Sequence, residues 1–164
     1  MSNYKKEAGL TLIEIIVVIG VLSVLFGLGT VVMSGFARQD RIEAEAKKIT
    51  ACLFQARVKT LAGYSYGQPT ALNFGVHFES ARYTLFGGIG FNPDNPLNQK
   101  FDLAPELAIN DISLSSDDCV FEKITGQVRN FDPVNNYFIL TDRRGNQKRK
   151  ISINKLGVVT VEKI

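Results

Sequence analysis

The chain has 164 residues, 45% of them hydrophobic and 21% charged, with a formal net charge of +3 and two cysteines. That length and balance suit one compact domain plus one apolar segment and argue against two domains. The apolar residues are unevenly spread, because the stretch from Ile15 to Ala37 holds no charged side chain, and this argues against a wholly soluble protein.

In chain order, the first nine residues read as a hydrophilic leader that carries Lys5, Lys6 and Glu7. An ordinary secretory signal places its small-residue cleavage site after an apolar core. Here Ala8 and Gly9 come before the apolar run, so a cut after Gly9 removes a hydrophilic peptide and leaves the apolar helix on the mature chain.

The uncharged stretch would extend about 35 Å as a helix at roughly 1.5 Å per residue, enough to cross the hydrocarbon core of a bilayer. Lys5 and Lys6 precede it, whereas the basic residues that follow, Arg38, Arg41, Lys47 and Lys48, are mixed with Asp40, Glu43 and Glu45. The positive-inside bias therefore favours a cytoplasmic N-terminus. Glu14 is the one charge at the start of the apolar run, and an intramembrane carboxylate is costly enough to need a partner or a task.

From Gln39 to Lys59 the chain becomes charged, with Ile42, Ala46, Ile49, Leu53 and Ala56 at spacings of three and four, which predicts an amphipathic helix. No proline interrupts Leu10 to Gly63, so one helix of about 50 residues is expected, near 80 Å long at roughly 1.5 Å per residue. Beyond Gly63 the period changes to two. Strands are expected over Thr70–Phe78, Ala81–Phe86, Leu107–Leu114, Cys119–Ile124, Tyr137–Thr141, Lys148–Ile153 and Val158–Val161, with Gly87–Pro105 as a long loop. The predicted fold class is α+β: a long N-terminal helix packed on an antiparallel β head. Its parts are a leader at 1–9, a membrane or filament-core helix at 10–37, an amphipathic half at 38–63 and a head at 64–164.

Candidate chemistry is sparse. The single histidine, His77, sits in an alternating strand, and the two cysteines lack metal-ligand spacing, so neither a catalytic constellation nor a metal or cofactor site is expected. Cys52 lies on the apolar helix face and Cys119 at the start of a strand. They read either as a disulfide, worth on the order of 4 kcal/mol in the loop-entropy account, or as buried free thiols.

Charge is segregated: residues 38–128 carry nine Lys/Arg against eleven Asp/Glu, and residues 129–164 carry eight against three. Arg143, Arg144, Lys148, Arg149 and Lys150 crowd around a Gly145-Asn146 turn, with at least four of the charges expected to reach solvent. The cluster reads first as a solvated hairpin that resists edge pairing or meets acidic residues of a neighbouring subunit, and second as a phosphate-binding patch.

The junction Lys5-Lys6-Glu7-Ala8-Gly9 followed by Leu10-Thr11-Leu12-Ile13-Glu14 resembles the class III prepilin signal of type IV pilins and type II secretion pseudopilins. The resemblance implies that prepilin peptidase cuts between Gly9 and Leu10 and N-methylates Leu10, a position more often Phe. Glu14 becomes the fifth mature residue, which in such families neutralises an N-terminal amine within the subunit or on the next one during assembly. Major pilins often carry a helix-kinking proline at mature position 22; Val31 stands there, which favours a minor component.

Leu53 through Phe86, together with Ile151-Ser152-Ile153 and Leu156-Gly157-Val158-Val159, resembles H-type minor pseudopilins and the related FimT minor pilins. The implied partners are other pilins or pseudopilins in a filament, prepilin peptidase, an assembly platform and ATPase, and the bacterial cytoplasmic membrane, crossed once with the head outside. The FimT likeness adds DNA, held through the basic C-terminal cluster during natural transformation, as the less favoured alternative. A single-pass membrane protein with an unrelated β ectodomain is the third reading.

Overall fold

A computed structural model describes residues 11–67, 70, 72–144 and 147–164, with side chains described at all of these except 28–39. The expected cleavage site at Gly9 and Leu10, and the Gly145-Asn146 turn, lie outside the described residues. Two compact units are present, Met1–Gln39 and Asp40–Ile164. Helix α1 (Leu12–Leu61) contributes to both.

In the first unit, Leu12 to Phe26 presents exposed aliphatic side chains and Phe26, and Ser23 returns its hydroxyl proton to the Ile19 carbonyl at 2.8 Å. Such a bond keeps a polar side chain satisfied within its own helix. Among the described residues no helix is long and apolar enough to cross a membrane. Positions 28–37 of the expected span are outside the residues whose side chains are described.

The second unit follows from the helical periodicity. Ile42, Ala46, Ile49, Leu53 and Ala56 are all at most 1% exposed, whereas Phe54 and Val58 on the other face are open. The helix ends where Gly63 takes a positive φ of 67° and the Tyr64 N–H reaches the Lys59 carbonyl at 3.0 Å. Only glycine adopts that conformation freely, which makes it a helix terminator. Thr60 ties the helix to the first strand: its hydroxyl donates to the Ala56 carbonyl and accepts the Phe74 N–H, both at 2.9 Å.

Eight strands follow: β1 (Phe74–Glu79), β2 (Arg82–Gly87), β3 (Gln99–Asp102), β4 (Leu107–Ser113), β5 (Asp118–Val120), β6 (Tyr137–Asp142), β7 (Lys148–Ile153) and β8 (Val159–Lys163). They form two four-stranded antiparallel sheets, in the orders β3-β2-β1-β5 and β4-β6-β7-β8. The helix face and both sheets share one core, in which the Phe78 and Phe138 rings meet across the sheets at 4.3 Å.

The α+β layout is as expected, and four details differ. The head holds two sheets, because β4 pairs with β6 while β1 and β2 recruit β3 and β5. Strand β3 lies inside the expected Gly87–Pro105 loop; all four residues are exposed on an edge, so no buried alternation marks it. The first strand begins at Phe74, not Thr70. The strand expected over Cys119–Ile124 is shorter, running over Asp118–Val120, with Phe121 bridging only Val128.

Adjacent helix residues on opposite faces give a direct check of this packing. Leu53→Ala is expected to lower unfolding stability by about 2–5 kcal/mol by leaving a core cavity, and Phe54→Ala by less than about 0.5 kcal/mol, as read by urea denaturation of the detergent-solubilised full chain. Equal losses would contradict the helix orientation.

Candidate functional site

The start of α1 is built by Thr11. The Glu14 N–H is 3.4 Å from its hydroxyl oxygen and 3.1 Å from its carbonyl, so Thr11 occupies the N-cap position with Glu14 three residues on. This is the Thr-x-x-Glu arrangement of a capping box, and it sets the Glu14 carboxylate in the first turn, where the helix dipole favours an anion. The carboxylate expected to act in assembly therefore also suits the local helix start. The Thr-x-x-Glu spacing is visible in the sequence, yet Thr11 was not among the expected site residues.

At the basic C-terminal hairpin the structure divides the five expected residues. Arg143, Arg144 and Lys148 are exposed, and Lys150 is half-buried with its ammonium 4.3 Å above the Tyr137 ring. Arg149 is buried, 4% exposed, with Nε 3.5 Å from Glu43 Oε2 on α1 and a second bond to the Lys148 carbonyl at 3.0 Å. Three of the five are thus exposed and one is partly exposed, in keeping with the expected four solvent-reaching charges, and Arg149 is the one withdrawn from solvent. Arg149 points inward because odd positions of β7, with Ile151 and Ile153, face the core. An arginine there needs a carboxylate, since an unpaired buried charge is costly.

Cys52 and Cys119 are both buried in the core and both free, so the disulfide weighed from the sequence is not formed. Burial pushes each thiol up to about 12; Lys59 draws Cys52 back somewhat, and Asp118 pushes Cys119 further. Thiols so placed are poor nucleophiles, because the thiolate is the reactive form. Burial likewise raises Tyr83, with Glu45 adding to the shift.

His77 is held within the fold. Its Nδ1 lies 2.7 Å from Asp118 Oδ1, its ring stacks on Phe91 at 4.0 Å, and Asp118 Oδ2 accepts the Phe91 N–H at 3.2 Å. The three residues clamp the β2–β3 connection against the first sheet. No group of three His, Cys, Asp or Glu suited to a metal occurs among the described residues.

Residues 4–30 match the family model described as the prokaryotic N-terminal methylation motif. The match supports a type IV pilin-like or pseudopilin subunit, processed by prepilin peptidase and assembling with other pilins as a structural component. The same motif indicates a membrane-anchored, filament-incorporated protein. Neither the curated proteins nor the solved structures compared with the chain yielded a match.

The thiols set a pH dependence. Their folded values lie above the ordinary thiol value of about 8.5, so the unfolded chain loses protons first as pH rises. Their stabilising contribution is complete below about pH 8 and is lost progressively toward 12. Urea midpoints should fall over that window, and less steeply for Cys52→Ala/Cys119→Ala, Tyr83 keeping part of the slope. At pH 8 neither thiol should react with iodoacetamide until urea unfolds the chain; rapid labelling of the folded protein would contradict their burial.

Proposed function

We propose that this chain is a minor pilin or pseudopilin, a structural and assembly subunit of a type IV pilus or type II secretion filament. The observation that carries the reading is the methylation-motif match over residues 4–30, running directly into α1 with Glu14 in its first turn. Prepilin peptidase cuts after Gly9 and methylates Leu10, and the uncharged Ile15–Ala37 stretch holds the subunit in the cytoplasmic membrane with the head outside. A platform protein and ATPase then draw it into the filament, where Glu14 neutralises an N-terminal amine. Val31 in place of the major-pilin proline supports the minor assignment, and the β1–β2 hairpin lies where the H-type resemblance falls.

A second reading rests on Arg143, Arg144 and Lys148, which are exposed and form no ion pair among the described residues. They supply cations for phosphate groups, as in a FimT-like subunit that binds DNA.

Mass spectrometry of the mature chain is expected to find N-methyl-Leu10 at the terminus; a chain still beginning at Met1 would sink the assignment. Glu14→Val should insert and be processed normally, while its share in sheared filaments falls roughly tenfold, equivalent to about 1.4 kcal/mol. For the second reading, replacing Arg143, Arg144 and Lys148 by Gln should weaken DNA binding by the full chain and reduce the salt slope by about one per lost phosphate contact. Unchanged affinity would end it.

A further inference from the structure

The last two turns of α1 in the second unit leave a surface uncovered. Phe54, Val58 and Leu61, spaced at i, i+4 and i+7, are 64%, 45% and 48% exposed. Two loops come up beside them. A side chain added at Gly126 would begin 3.1 Å from both Arg57 Nε and Leu61, and one added at Gly157 would begin 3.3 Å from the Gly126 carbonyl and 3.4 Å from Arg57 Cδ. The two glycines thus bring the loops flush against the helix. Ile124, Leu156 and Val158 stand on those loops, all at least half exposed.

Ile124 is the extreme case, 94% exposed with a φ of 71°. A β-branched residue is rarely held in the left-handed region, and solvent gives an isoleucine no reason to be there.

Arg57 lies within this apolar surround. It is half-buried, its Nε is sealed from water without an acceptor, and it forms no ion pair among the described residues. By contrast, Arg41 pairs with Glu106, and Arg149 with Glu43. A partly desolvated guanidinium without a carboxylate calls for an anion, and the apolar rim calls for an apolar carrier of that anion.

The first unit has the opposite deficiency. Leu12 to Phe26 exposes large apolar side chains and bears one carboxylate, Glu14, which forms no ion pair among the described residues. We propose that Arg57 and its apolar rim are a docking surface for this helical segment of a second copy, with Glu14 of that copy meeting the Arg57 guanidinium. The partner is identified by charge complementarity, and by the i, i+4, i+7 stripe, which is the spacing of a helix-packing seam. Glu14 has two carboxylate oxygens, so one amine and one guanidinium can share it. The contact joins unlike surfaces head to tail, the kind that propagates as a helical filament instead of closing into a dimer. It deepens the filament reading and rests on it.

The test uses full-length chains in cells that overproduce them. One tagged copy carries Ile13→Cys and another carries Leu61→Cys, and sheared filaments are oxidised. The native cysteines, buried with thiols raised to about 12, are present in every sample. Disulfide-linked heterodimers are expected only when both variants are present. Adding Arg57→Met to the Leu61→Cys copy, which keeps the stem packed beside Gly157, should lower the yield about tenfold, whereas Arg57→Lys should largely restore it; the urea midpoints of both should match the parent. A yield insensitive to Arg57→Met, or no heterodimer in filaments that contain both copies, would overturn the proposal. Absence of the unsubstituted chain from sheared filaments would instead overturn the filament reading itself.

Discussion

Burial of one face of α1, from Ile42 to Ala56, against two sheets is the constraint on which the head depends. Five positions at helical spacing are sealed together with Phe74, Phe78, Phe138 and Leu140, so helix and sheets share one core. Apolar area removed from water at about 25 cal/mol per Å² is the main favourable term in such packing. Neither sheet has another helix to cover it among the described residues, so the position of α1 sets which strand residues point inward.

The placement of the basic residues follows from that core. Arg149 alternates with Ile151 and Ile153 on the inward side of β7, and Glu43 on α1 supplies its counter-charge. Lys59 is held by the helix end in a ring of Tyr64, Tyr66 and Phe74, each within 5.8 Å of its ammonium, which fastens the turn into β1. Other cations form no ion pair among the described residues, including Arg143, Arg144 and Lys148 at one end of the second sheet and Arg57 beside the helix terminus.

At the start of α1 a single carboxylate suits the local helix chemistry and is also the group on which the proposed assembly role rests. Within the chain, Glu14 follows a Thr11 cap and sits where the helix dipole tolerates a negative charge. In the proposed assembly role, the same dipole would leave the carboxylate free to answer a cation from outside the helix without destabilising its own first turn.

The sequence by itself determined what depends on neighbours along the chain. The methylation motif, the change from period 3.6 to period 2, the inward helix face and six of the eight strands, within a few residues at their ends, are local patterns and were legible. The position of β5 was legible only in part, since its expected span ran on past Val120 to Ile124. Strand β3 was not, because Gln99–Asp102 owes its extended form to pairing with β2 and buries nothing. Nor was the state of Cys52 and Cys119, nor the separation of Arg149 from its exposed neighbours, nor the isolation of Arg57. Each of these depends on which groups from distant segments arrive within a few ångströms, and only the tertiary packing of helix, sheets and loops decides that.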